Sequence, residues 1–297
     1  MVQRFTFPVG RAALSPPHLM ICTHLQRRAE GSPPYGIRLH SISAILRQER
    51  VLSVNITIVY PHKRKTRSST YGIAQKMLGE LLDGGALHEF TLPEAMPHVC
   101  AGCYACMGGH EDKCGGWPYM EKLLAAMDDS ELIIFCAPTY VYHAPGQVKT
   151  LLDHFAFRWM VHRPDLSLMH KQALIITTAA GGGMKSTVRD IRDSMDYWGV
   201  GRTHVITQAV WGYDWSTMPE KFRQEIDRKV EKTASAIRKN AGHVTPGVKV
   251  KGLFYLYRLL HKKRKMTPVD DEYWHRMGYV TGKPWECAAA RGGRTRG

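Results

Sequence analysis

Between residues 52 and 241, apolar runs of strand length alternate with amphipathic stretches of helix length, five times over. LSVNITIVY (52–60) is β-branched and apolar, the composition of a strand buried on both faces. After a polar loop comes SSTYGIAQKMLGELLDGG, in which Ile73, Met77, Leu78, Leu81 and Leu82 share one helical face. A hydroxyl at 68–70 can cap that helix, and Gly84-Gly85 ends it. The pattern continues as strand ALHEFTL (86–92), helix PYMEKLLAAMDD (118–129), strand ELIIFCAP (131–138) and helix PGQVKTLLDHFAF (145–157). Strand KQALIITTAA (171–180), helix MKSTVRDIRDSMDYWG (184–199), strand THVITQAVW (203–211) and a long helix over 217–241 complete it. Such alternation predicts an α/β fold with one doubly wound, five-stranded parallel sheet, because parallel strands need crossovers. No G-x-G-x-x-G follows the first strand, so the flavodoxin-like order is expected rather than the dinucleotide-binding one.

The flanks lack this regularity. Residues 1–50 contain SPP twice and no sustained periodicity, and read as a poorly ordered extension before a domain spanning 51–241. Val51 is the expected native start. Residues 242–297 read as a C-terminal extension. Within it, VKGLFYLYRLLHKKRK is an apolar, aromatic helix with a basic end, expected to pack on the core or on a second subunit, with a membrane surface as the alternative. PVDDEYWHRMGYVTGKPWEC then reads as an irregular arm, followed by a disordered tail.

The formal net charge of +15 would suit nucleic acid, lipid or phosphate-bearing ligands. Much of it lies in the termini: residues 1–50 hold seven Arg against Glu30 and Glu49. The runs PHKRKTR (61–67) and HKKRK (261–265) lack the interleaved aromatics of single-strand binders, so no nucleic-acid partner is expected. No apolar stretch approaches the roughly 20 residues that span a bilayer, so no transmembrane segment is expected. Seven cysteines, an odd number with four in one cluster, argue against a secreted disulfide framework and for a reducing cytoplasm.

That cluster is CAGCYACMGGHEDKC, with Cys100, Cys103, Cys106 and Cys114 on one loop after the second strand. Four thiolates so close in sequence can surround one metal centre, and iron–sulfur clusters use spacing of this style. Zinc sites more often separate two cysteine pairs or add histidine. Cys136, in the third strand, reads as a buried small hydrophobe, and Cys22 and Cys287 as bystanders in the extensions. RWMVHRP (158–164) reads as surface packing, with the edge of a ligand bound at the sheet or a second subunit as alternatives.

Three loops fall at the carboxyl ends of predicted strands. PHKRKTRSSTY offers a helix start, the hydroxyls of Ser68, Ser69 and Thr70, and positive charge from Lys63, Arg64, Lys65 and Arg67, which suits phosphate. APTYVYHAPGQ offers Thr139, Tyr140, Tyr142 and His143, suited to a flat heteroaromatic ligand. TTAAGGGMKST offers three consecutive glycines, which allow close backbone approach.

With SSTY, CAGCYACMGGHEDKC, APTYVYHAPGQVKTLLDHF and TTAAGGGMKST together, the chain resembles the NAD(P)H-dependent FMN reductase group of flavodoxin-fold proteins, and in particular the iron–sulfur flavoproteins, over about Leu52 to Glu286. The resemblance implies FMN at the carboxyl edge of the sheet. Its phosphate would lie near Ser68, Ser69 and Thr70. Its ring would lie against Pro138, Thr139, Tyr140, Val141, Tyr142 and His143, covered by Ala180, Gly181, Gly182 and Gly183. NAD(P)H would be the donor, a 4Fe–4S cluster on Cys100, Cys103, Cys106 and Cys114 would take electrons from FMN, and a small molecule or a redox protein would be the acceptor. His143 is a candidate donor to a flavin or substrate atom. A homo-oligomer is also implied. The sequence departs from the pattern at Tyr60-Pro61-His62, which opens a longer loop than the short Ser-Pro-Arg-type turn of relatives, and in the seven residues before Cys114. A cluster-free FMN reductase, or a zinc or thiol redox site, is the alternative.

Overall fold

The computed structural model describes residues 54–286 except Thr66, all within one compact unit. Expectations for residues 1–50, for Val51 as the start, and for Cys22, Cys287 and the tail lie outside the described residues.

Five parallel strands form the sheet: β1 (Ile56–Tyr60), β2 (Leu87–Thr91), β3 (Leu132–Cys136), β4 (Gln172–Ala179) and β5 (Arg202–Ala209). Their order is β2-β1-β3-β4-β5, the flavodoxin-like arrangement, with the chain reversing direction across the sheet between β1 and β3. The three inner strands β1, β3 and β4 are buried at every position, whereas the edge strands β2 and β5 are only partly buried. This explains why the inner strands read as unbroken apolar runs while THVITQ alternates with polar residues.

Alternate strand residues feed two cores. Ile56, Ile58, Ile134, Cys136, Leu174 and Ile176 meet α1 (Ser69–Leu81) and α5 (Glu220–Asn240) on one face. Val59, Ile133, Phe135 and Ile175 meet α2 (Trp117–Asp129), α3 (Gly146–His154) and α4 (Met184–Trp198) on the other. The helical spacing is what permits this: α5 buries Ile226, Val230, Ala234 and Ile237 along a single stripe. Cys136 is 1% exposed, and burial pushes its thiol up, as suits a packed hydrophobe rather than a nucleophile.

A third core belongs to the C-terminal extension. Val250 and Phe254 of α6 (Val248–Lys262) and Trp274 of α7 (Pro268–Arg276) close over Met160, Leu166 and Met169. Two expectations are corrected here. The arm expected to be irregular begins with α7. The Thr267 side chain accepts from Asp270 N–H, Pro268 opens the first turn, and Asp270 and Asp271 sit where the helix dipole favours acids. RWMVHRP is not surface packing. Met160 is fully buried, Arg158 is nearly so, and Trp159 stacks on Tyr197 at 4.3 Å. Among the described residues, no helix is long and apolar enough to cross a membrane.

Candidate functional site

Four loops rise from the carboxyl edge of β1, β3, β4 and β5, and they touch one another. After β1, Ser68 caps α1 by accepting from Tyr71 N–H, and its hydroxyl lies 2.8 Å from that of Thr70. Ser69 and Thr70 are buried; the Ser69 hydroxyl donates to the Tyr213 carbonyl of the β5 loop. No acid lies in the first turn of α1, so its N–H groups and positive dipole end keep their pull on an anion. Of the basic side chains before it, Lys63 pairs with Glu94 and Arg67 with Asp214.

The loop after β3 departs from anything legible in composition. Val141 and Tyr142 both take left-handed backbone conformations, with φ of 49° and 66°. Tyr140 and His143 close the turn through reciprocal N–H···O=C bonds of 3.0 Å. A β-branched residue at positive φ is a true outlier, and each such residue costs roughly 1–3 kcal/mol. The turn is held from both ends. The Thr139 hydroxyl bonds those of Thr177 (3.2 Å) and Thr187 (2.9 Å), and Asp190 of α4 accepts from Ala144 N–H (3.0 Å) and from His143 Nδ1 (3.0 Å). Held this way, the turn projects Val141 (95% exposed) and Tyr142 (68%) into solvent.

The glycine run after β4 explains itself by contact. Gly183 has φ 86°, and a Cβ there would come within 2.9 Å of the Tyr142 ring and 3.1 Å of the Thr139 methyl. Gly182 faces open space, and Gly181 faces Trp211. His62, from the β1 loop, stacks on Tyr140 at 6.5 Å. Burial lowers the His62 pKa, and the nearby Arg64 charge adds to that. The structure therefore brings Pro138–His143, Ala180–Gly183 and the start of α1 to one edge. It adds three residues that sequence reasoning missed: Asp190, Trp211 and Tyr213. Trp211 is 66% exposed, and its backbone N–H donates to the Ala180 carbonyl. The signal was the aromatic string VWGYDW directly after the fifth strand.

The cysteine loop is built differently. Cys100 and Cys103 are exposed, while Cys106 and Cys114 lean on the second core. Burial pushes the Cys106 thiol up, and the other three thiols add to that, so all four share one neighbourhood. Yet among the described residues no three His, Cys, Asp or Glu side chains are gathered as a metal-binding group. What holds the loop is Arg163. Its guanidinium donates to the carbonyls of Cys106 and Met107, to Glu111 (2.8 and 3.0 Å) and to Asp270 of α7. No hydrogen bond, ion pair or ring contact among the described residues joins this loop to the 138–143 turn or the glycine run. A cavity of about 480 Å³ lies between the loop and α7; Arg158 on its wall bridges Asp128 and Asp165, both 3.1 Å away.

Comparison with known proteins follows the same outline. The family model described as NADPH-dependent FMN reductase matches residues 54–215, more than half of the chain. Over 66 residues, the chain is 33% identical to an FMN-dependent NADH:quinone oxidoreductase of Photorhabdus laumondii; the match spans 20% of this chain and 33% of that relative. Among solved structures, an FMN-dependent NADH-azoreductase of Bacillus anthracis, in complex with FMN, aligns with a TM-score of 0.49 at 11% identity. That alignment covers 62% of this chain and 99% of the azoreductase. Smu.1420 of Streptococcus mutans aligns with a TM-score of 0.46 at 17% identity, over 62% of this chain and 98% of that one.

Proposed function

Because the chain belongs to the NADPH-dependent FMN reductase family, and is thus an oxidoreductase, we propose that the carboxyl edge of its sheet binds FMN and takes reducing equivalents from NAD(P)H. The observation that carries this reading is the cradle made by Gly183 and the 139–142 turn beside the acid-free start of α1. The residues fit the group. Ser68, Ser69, Thr70 and the first N–H groups of α1 would hold its phosphate. Pro138, Thr139, Tyr140, Val141, Tyr142 and His143 would lie along its ring, with Ala180, Gly181, Gly182 and Gly183 opposite. Gly183 packs directly on Tyr142 and Thr139, where a Cβ would clash, and Gly182 beside it faces open space.

Bound FMN supplies exchange between a two-electron donor and one- or two-electron acceptors. The chain's own contribution is orientation and proton supply. Asp190 holds His143 Nδ1 and leaves Nε2 of this 64%-exposed side chain at the edge; as the imidazolium it would hand its Nε2 proton to a small acceptor and take one back from solvent. The N–H groups at 181–183 would stabilise negative charge on the reduced ring. A homo-oligomer, with a second copy covering part of the exposed aromatic edge, completes the reading.

The finer reading gives Cys100, Cys103, Cys106 and Cys114 a 4Fe–4S cluster. It is supported by four thiols in one neighbourhood and by Arg163 fixing the Cys106 carbonyl. A zinc or thiol site on the same residues is the competing reading. The tests are separable. Protein purified without oxygen should carry FMN and lose its flavin absorption when NADPH is added; protein that neither holds nor takes up FMN refutes the flavin site. Iron and sulfide analysis decides the cysteines: stoichiometric zinc, or no metal, removes the cluster and leaves the flavin site standing.

A further inference from the structure

We propose that α6 and the turn after it form a docking surface for anionic lipid, so that the protein lies against a membrane along this helix. One face of α6 is committed to the fold: Val250, Phe254 and His261 are buried. The opposite face is bare. Val248 (89% exposed), Tyr255 (45%), Leu256 (51%) and Leu259 (50%) fall on one side at the helical period, an apolar ridge along a helix of 15 residues. Tyr255 meets Trp285 edge-on at 5.7 Å, and Tyr and Trp are the side chains that favour the boundary between lipid and water. Because the buried face ties α6 along the body of the molecule, the ridge is presented lengthwise, as an interfacial helix requires.

Charge decides what covers the ridge. Residues 248–265 contain no Asp or Glu. Lys262, Lys263, Arg264 and Lys265 are all exposed, and none forms an ion pair among the described residues. They are not on a frayed end. Arg264 takes φ 49°, and the N–H groups of Lys263, Arg264 and Lys265 return to the carbonyls of Leu259, His261 and Leu260. Two of the three acids of α7 are turned inward, Asp270 onto Arg163 and His162 and Asp271 onto His261, while the exposed Glu272 lies with Arg276 on the wall of the cavity beside the cysteine loop. Packing α6 on α6 of a second copy would oppose positive charge to positive charge in either direction. A surface of anionic headgroups offers the opposite sign to the basic turn and an apolar layer to the ridge.

The test is co-sedimentation of the full chain with phosphatidylcholine vesicles, with and without phosphatidylglycerol. Binding is expected only to the anionic vesicles and should weaken with salt. K262Q/K263Q should lower the partition coefficient roughly thirtyfold, since each basic residue near such a surface contributes about fivefold to sixfold. L256S/L259S should also lose binding, without a change in melting temperature, because both side chains are half exposed already. No binding to anionic vesicles overturns the proposal. So does binding that survives K262Q/K263Q, which would place the lipid contact elsewhere on this basic chain. A dimer in solution that L256S/L259S dissociates also overturns it, since the ridge would then be an interface between copies.

Discussion

The turn at 140–143 and the loop at 100–114 both carry exposed chemistry, but different forces hold them in place. The turn is short-range and strained: two left-handed residues, two backbone bonds across four residues, and anchors in Thr139 and Asp190. The cysteine loop is long-range and charged, pinned by an arginine that is 8% exposed to a carboxylate that is fully buried more than a hundred residues away. A strained turn stores energy that a ligand can use; a buried ion pair resists rearrangement until one partner is lost. The carboxyl edge is thus poised to adapt, and the cysteine loop is tied to the integrity of the C-terminal extension.

The largest effect should come from breaking the tie. Asp270→Ala strips the nearly buried Arg163 of one of its two carboxylates and leaves Glu111 alone to balance it, so the cost should fall near or below the lower end of the about 3–5 kcal/mol typical of a broken buried pair. The melting temperature should fall, and alkylation of Cys106 should accelerate while FMN affinity holds. If Cys106 labelling is unchanged, the extension does not fasten the loop. Next is the cradle. Gly183→Val forces a β-branched residue to φ 86° and drives its Cβ into Tyr142 and Thr139. A loss of roughly 1–3 kcal/mol in stability is expected, with FMN binding weakened at least about tenfold as the turn is displaced. Cys106 labelling should not respond, which is the converse of the first result.

Acid acts on the sheet through His204 and on the extension through His261, whose pKa burial also lowers. Burial, with the nearby Arg202 charge, draws the His204 pKa down to about 4. His204 stays neutral in the fold while the unfolded chain takes up its proton near 6.5, so stability falls as pH drops from about 6.5 to about 4. For Asp270, burial alone would push the carboxyl up. The hydrogen bonds of His162 and Thr267 and the charges of His162 and Arg163 outweigh it and leave it below the ordinary range. Its contribution is therefore full above about 3.9 and is lost only as pH falls through its lower folded value. Melting temperatures against pH should decline through the upper window in the native chain and less steeply in His204→Gln, the remainder coming from His261 and His62, which burial shifts the same way. A decline that ignores this substitution would place the acid-sensitive group elsewhere.

The same contrast explains what the sequence disclosed. The inner strands were legible because burial on both faces demands unbroken apolar runs, and α5 because its buried stripe repeats for 21 residues. The start of α1 was legible through Ser68, a capping residue just before an apolar periodicity. α7 was missed although Thr267-Pro268 and two acids announce it, because nine residues are too few to display a stripe. The left-handed turn could not be foreseen: Val141 and Tyr142 are among the residues least suited to positive φ, and only the surrounding anchors impose it. Arg163 was quoted as part of a motif, but its partners Glu111 and Asp270 stand 52 and 107 residues away, beyond any local pattern.

The smallest effect is the most discriminating, because stability and binding should move in opposite directions. Val141→Gly removes a β-branched side chain from φ 49°, a conformation that glycine adopts without steric penalty. Release of the strain favours the folded state by roughly 1–2 kcal/mol, and the greater backbone freedom of glycine in the unfolded chain takes back about half to all of the lower figure. The melting temperature should therefore rise slightly or stay level. The 95%-exposed valine makes almost no contact in the protein itself, so its removal sacrifices no packing. If the turn is held in this strained form to meet the flavin ring, the same substitution should weaken FMN binding, because it removes apolar contact and lets the turn wander. Affinity that falls while stability holds would tie the strain to the ligand. Affinity that is unchanged would show that Val141 faces solvent or another chain even when FMN is bound.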